Sequence, residues 1–107
     1  MVVAAPALIE AYSVLTRLPA PHRLAPADAL SLLDANFSRG ITVVTLSAAA
    51  CRALLRAAPG DGVFGGRIYD AVIAACARRA RARTLLTFNT SHFASFAGPD
   101  LAIVAPA

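Results

Sequence analysis

The sequence predicts an α/β domain built on a parallel sheet, and three observations carry that prediction. Short β-branched or apolar runs alternate with helix-length amphipathic segments, above all in the second half of the chain. Proline stands at helix starts and glycine or proline at helix ends. Apolar residues make up 58% of the 107 and charged residues only 15%, which calls for a buried core and excludes disorder, collagen and a long coiled coil. That length is room for one domain, residues 1–107.

Val2-Val3-Ala4 reads as a strand end that runs straight into a helix. The helix, Pro6 to Leu18, opens on Pro6 and carries Leu8, Ile9, Tyr12, Leu15 and Leu18 at helical spacing. Pro19 and Pro21 close it. Pro26 starts a second helix, with Leu30, Leu33 and Phe37 in phase, and Gly40 ends it. Ile41 to Leu46 is β-branched and apolar and reads as a strand, after which Ser47 can N-cap a third helix running to Pro59. Gly60 to Gly66 is a loop. Arg67 to Arg81 is the strongest helix, with Ile68, Val72 and Ala75 on one stripe and Ile73, Cys76 and Ala80 beside it. Thr84 to Phe88 is a short buried strand, Asn89 to Ser91 cap a short helix through Phe96, and Leu101 to Val104 is a last strand.

Composition narrows the function classes. No run approaches the roughly 18–20 apolar residues of a membrane span. Met1 to Arg17 lacks a basic start and is interrupted by Glu10, so the expectation is a cytoplasmic protein. Cys51 and Cys76 fall in helical patterns without CxxC or His spacing and read as small core residues in a reducing compartment. Ten arginines against six acids leave a charge of +4, which permits a polyanionic partner such as RNA without demonstrating one. The GxGxxG of Gly60, Gly62 and Gly65 follows a helix rather than a strand and contains Asp61, which argues against dinucleotide binding. Arg78, Arg79, Arg81 and Arg83 crowd the carboxyl end of their helix, where they complement its dipole.

In a parallel α/β sheet the carboxyl ends of strands and the amino ends of the following helices share one edge, where sites are built. Glu10 in helix one, Asp70 in the first turn of its helix and Asn89 at the exit of the Thr84 strand all belong to that edge. Arg67, Tyr69 and His92 fall there too. Each has a plainer explanation: an acid in the first turn suits the helix dipole, Asn89 is a natural N-cap, and His92 fits a helix surface. Their coincidence on one edge is what favours a site. Two carboxylates and an amide are hard oxygen ligands, suited to Mg²⁺ or Mn²⁺ and poorly suited to zinc. Such an ion polarises a phosphoryl oxygen and acidifies a bound water, the chemistry of metal-dependent nucleases. Arg67 is placed to hold a substrate phosphate.

The blocks Gly66-Arg-Ile-Tyr-Asp-Ala-Val-Ile-Ala-Ala-Cys-Ala77 and Thr84-Leu-Leu-Thr-Phe-Asn-Thr-Ser-His-Phe93, with the opening Ala5-Pro-Ala-Leu-Ile-Glu-Ala-Tyr-Ser-Val-Leu-Thr-Arg17, resemble the PIN-domain ribonucleases, above all the VapC-type toxins. The resemblance covers nearly the whole chain. It implies a PIN-like three-layer α/β/α fold around a parallel sheet, and a metal-dependent endoribonuclease acting as the toxin of a type II toxin–antitoxin pair. RNA would be the substrate and a cognate antitoxin the protein partner. Glu10 and Asp70 match two of the family's metal-binding acids, and Asn89 stands where members often have Asp. His92 matches the recurring His-Phe and is grouped with Arg67 on the substrate side. The family's first strand, which bears an aspartate of the metal site, has no counterpart here, so the expectation is an N-terminally truncated domain without its first strand-helix unit. The alternative reading is therefore a catalytically inactive domain that binds an antitoxin or forms a homodimer.

Overall fold

Strands and helices alternate as the punctuation predicts, in a computed structural model that describes residues 1–37, 40–87 and 90–105. Strand β1 (Val2–Ala4) passes without a loop into α1 (Ala5–Arg17); α2 (Pro26–Phe37), β2 (Thr42–Val44), α3 (Ala48–Ala57) and α4 (Arg67–Arg79) follow. The remainder is β3 (Thr84–Leu86), α5 (Thr90–Phe93), a 3₁₀ turn (Ala94–Phe96) and β4 (Ala102–Val104). Ala4 has extended backbone at the N-cap of α1, and Pro6 lies in its first turn, where an absent N–H costs nothing. Ser47 caps α3 as expected, its Oγ accepting from the Ala50 amide at 3.1 Å.

The first helix ends one residue early, at Arg17, and two further helix ends differ from the sequence reading by two residues. α3 stops at Ala57, two residues short of Pro59, and α4 stops at Arg79 rather than Arg81. At the latter the chain turns through Arg81, a non-glycine residue at φ 58°, with the Arg81 amide donating to the Arg78 carbonyl at 3.0 Å and the Ala82 amide to the Ala77 carbonyl at 2.9 Å. That pair of bonds is the Schellman closure, usually built on glycine. The strands are also shorter than expected, three residues each. Phe88, predicted to end β3, lies outside the described residues, as does Asn89.

The predicted parallel pairing holds, but in two separate halves. β1 pairs with β2 in the register Val2↔Thr42, Val3↔Val43 and Ala4↔Val44, and β3 pairs with β4 as Thr84↔Ala102, Leu85↔Ile103 and Leu86↔Val104. Among the described residues no hydrogen bonding joins β1 to β3. Helix α4 lies against both half-sheets and against α1, α3 and α5, and so is the beam of the structure. The packed core gathers at its far side: Leu85, Phe93 and Leu101 are buried, with Ile73, Ala77, Phe96 and Ile103 against them. In α1 and α2 only Ala29 is buried. Cys76 is buried as expected, and its burial pushes the thiol above its ordinary pKa. Cys51, expected in the core, is exposed instead, because α3 buries none of its residues fully.

The fold is open for its size. The Cα radius of gyration is 14.9 Å, against about 13 Å for a compact chain of this length. The accessible surface is 7379 Å², where a compact 11.0 kDa monomer exposes about 5600 Å².

Candidate functional site

The space between the two half-sheets is a cleft of about 850 Å³. Its walls are β1 on one side and β3 on the other, and its floor is α4 through Ile73, Cys76 and Ala77. Most of that lining is apolar. Polar side chains enter from the elements that follow the strands: Glu10 from α1, Asp70 from the first turn of α4, Thr87 one residue past β3, and His92 from α5. Three of the residues singled out in the sequence, Glu10, Asp70 and His92, therefore line one cleft. They meet because β1 runs directly into α1, and β3 is followed closely by α5, so strand exits and helix starts converge.

Glu10 is exposed and Asp70 half-buried. Among the described residues neither carboxylate is paired with a cation or hydrogen-bonded, and no group of three or more His, Cys, Asp and Glu side chains comes within metal-ligating reach. The donor set of the cleft is thus two carboxylates, both hard oxygen ligands. Mg²⁺ is commonly bound by one or two carboxylates and otherwise by water and substrate phosphate, so this pair suits that ion and not zinc. Asn89, predicted as a third member, lies outside the described residues.

Arg67 is not in this cleft. It lines a second groove of about 700 Å³ between α3 and α4, together with Ala71, Ala74, Ser95 and Phe96. There its Nη2 donates to the Ser95 Oγ and its guanidinium carbon stands 5.2 Å from the centre of the Phe96 ring, a cation–π contact. About three turns along the helix, Arg78 donates to the Phe96 carbonyl and pairs with Asp100 at 3.1 Å. That hydrogen bond holds the Asp100 carboxyl below the usual carboxylate range. Tyr69 is exposed and lines neither space. Thr84 and Thr87, at the start of β3 and just past its end, also line the cleft, and neither is singled out by the sequence.

A family model, the PIN domain, matches residues 1–99. The chain therefore belongs to the PIN-domain family, a mixed α/β fold with parallel strands. Among curated proteins it is similar to Ribonuclease VapC27 of Mycobacterium tuberculosis (strain H37Rv), with 43% identity over 76 residues, 71% of this chain and 53% of that protein. It is likewise similar to Ribonuclease VapC40 of the CDC 1551 strain of the same species, with 40% identity over 79 residues, 74% of this chain and 58% of that protein. The chain thus spans a little over half the length of the relatives it matches. No solved structure matches it significantly. Among the described residues no helix is long and apolar enough to cross a membrane.

Proposed function

We propose that the chain hydrolyses RNA phosphodiester bonds with the help of Mg²⁺ or Mn²⁺, as the toxin of a toxin–antitoxin pair, and that a cognate antitoxin covers the cleft. The observation that carries the proposal is the convergence of Glu10 and Asp70, distant in sequence, on one cleft without a cation to neutralise either. The names of the two relatives, both ribonucleases, support it.

In this reading Glu10 and Asp70 hold the ion, with Asn89 assisting. When bound, the ion supplies a polarised phosphoryl oxygen and a more acidic water. The chain's own residues do the rest. The two carboxylates repel each other until a cation sits between them, so their placement is itself an attractive field for one. His92 at the cleft wall can donate a hydrogen bond to a phosphate oxygen. Arg67, fixed by Ser95 and Phe96, offers an oriented cation in the neighbouring groove for backbone phosphate beyond the scissile bond.

A second reading, a non-catalytic domain that binds an antitoxin or a second copy, is favoured by one observation: among the described residues no third acid joins the pair. Cleavage of a mixed RNA pool separates the two. The enzyme reading expects cutting in Mn²⁺, none in EDTA, and none by Asp70→Ala in a sample that remains folded. RNA left intact by the folded wild-type chain in Mn²⁺ would leave only the second reading.

A further inference from the structure

Four of the ten arginines stand within six residues at the far end of α4, and capping the helix does not account for them. The last carbonyls of α4 are taken by backbone. The Ala80 amide donates to the Cys76 carbonyl at 3.1 Å, Arg81 to Arg78 at 3.0 Å and Ala82 to Ala77 at 2.9 Å. Arg78 turns away from them to the Phe96 carbonyl and Asp100. Arg79, Arg81 and Arg83 are exposed, and among the described residues their side chains make no hydrogen bond or ion pair. Arg78, Arg81 and Arg83 line one concavity of about 440 Å³ with Ala82, Pro99 and Asp100. Backbone bonds tie its frame down. Arg81 is held by the closure of α4, the Arg83 carbonyl accepts from Ala102 at 2.8 Å, and Gly98 and Leu101 bond each other across the turn that carries Pro99 and Asp100.

We infer that this arginine cluster binds RNA through its phosphates, at the end of α4 opposite Asp70 and apart from the cleft carboxylates. The inference rests on the proposed function only for RNA as the polyanion, not for hydrolysis. Three features select a nucleic acid over a protein. First, four guanidinium groups less the Asp100 carboxylate leave three positive charges of the chain's formal four, while the other six arginines nearly balance the other five acids. Asp100 is itself neutralised by Arg78 at 3.1 Å, so what remains to face a ligand is cationic. Second, the concavity offers no aromatic or large aliphatic side chain, the anchor on which a protein partner depends, whereas a phosphate asks only for guanidinium donors. Third, Arg81 stands at φ 58°, which glycine takes without strain, and an arginine held in such a conformation marks a side chain in use. From Asp70 to Arg79 the helix rises about 14 Å, so the phosphates held here belong to nucleotides away from the scissile bond.

The test is binding without cleavage. A fluorescent single-stranded RNA of mixed sequence is titrated with the 107-residue chain in EDTA over a range of salt, and its anisotropy is followed. The inference expects saturable binding whose affinity falls steeply with salt. Arg81→Gln with Arg83→Gln should weaken it about tenfold or more at low salt. The same pair should lower the slope of log affinity against log salt by about 1.4, each single-strand phosphate contact contributing about 0.7. Arg17→Gln with Arg56→Gln removes the same charge from exposed positions elsewhere and should change the affinity by about twofold at most. Arg81→Gly should weaken binding several-fold while raising the melting temperature, a pairing that loss of fold cannot produce. Four results would overturn the inference: no saturable binding by the folded wild-type chain, equal losses from the two double variants, wild-type affinity in Arg81→Gly, or displacement of the RNA by polyglutamate as readily as by unlabelled RNA. The last would assign the cluster to an acidic polypeptide. The outcome is separate from that of cleavage. RNA bound through these arginines yet uncut in Mn²⁺ defeats the ribonuclease reading alone, and RNA cut by a chain whose affinity ignores them defeats this inference alone.

Discussion

Arg81 occupies the one described non-glycine position at positive φ, and replacing it with glycine should stabilise the protein. At φ 58° its Cβ crowds the adjacent backbone, a penalty of about 1–2 kcal/mol that glycine avoids. Against this stand two losses. Glycine has more conformational freedom to give up on folding, about 0.5–1 kcal/mol, and the change removes one cation near the carboxyl end of α4, where exposed charges contribute about 0.3–1 kcal/mol. Arg78 and Arg79 remain in the last turn, so the second loss sits at the low end. The net is about 0.5 kcal/mol in favour of Arg81→Gly. Arg81→Ala loses the cation and keeps the crowded backbone, so it should lie about 1 kcal/mol below the glycine variant. For a domain of this size that separates their melting temperatures by roughly 4–8 °C. Thermal unfolding followed by circular dichroism measures both. Equal melting temperatures, or Ala above Gly, would refute the Schellman assignment at this helix end.

The remaining predictions concern the core and the thiols. Leu101 is fully buried in the small cluster with Leu85 and Phe93, so Leu101→Ala should cost about 2–5 kcal/mol and give a chain that is largely unfolded at 37 °C, seen as collapse of amide dispersion. A dispersed spectrum and an unchanged melt would show that the core lies elsewhere. Iodoacetamide should label Cys51 rapidly and leave Cys76 unmodified. Cys76, whose burial holds the neutral thiol to higher pH, should stay protected as pH rises from 7 to 9, until denaturant is added. Mass spectrometry of the labelled peptides reads this directly, and early labelling of Cys76 would contradict the packing of α4.

Much of the helical framework was legible because its signals are local. Pro6, Pro26 and Ser47 mark helix starts through effects confined to one turn, and each helix begins where they place it or one residue away. The convergence of Glu10 and Asp70 was legible too, since it follows from the geometry of parallel α/β units rather than from any motif. What escaped the sequence depends on tertiary contacts. Arg67 and Asp70 share the first turn of α4, yet Ser95 and Phe96 draw the arginine into the neighbouring groove, and nothing near Arg67 in the chain announces those partners. Cys51 has the spacing of a core residue on a helix that buries no residue. α4 ends two residues before its pattern predicts because its closure rests on an arginine in a conformation normally taken by glycine. The strands came out short because each has a single neighbour, and a β-branched run only shows what a segment tolerates, not how far a partner extends.

The lopsided core also sets an order of events at synthesis. β1, α1, α2 and β2 leave the ribosome before α4, and among their described residues they bury only Ala29. Their lasting support is α4, which is completed about 75 residues after β1. At 5–20 residues per second, the nascent amino-terminal half spends roughly 4–15 s with its apolar faces, Ile9 and Leu30 among them, turned to the cell. For that interval the chain is a substrate for chaperones and proteases, and its yield in the cell depends on how quickly the second half arrives to cover the first.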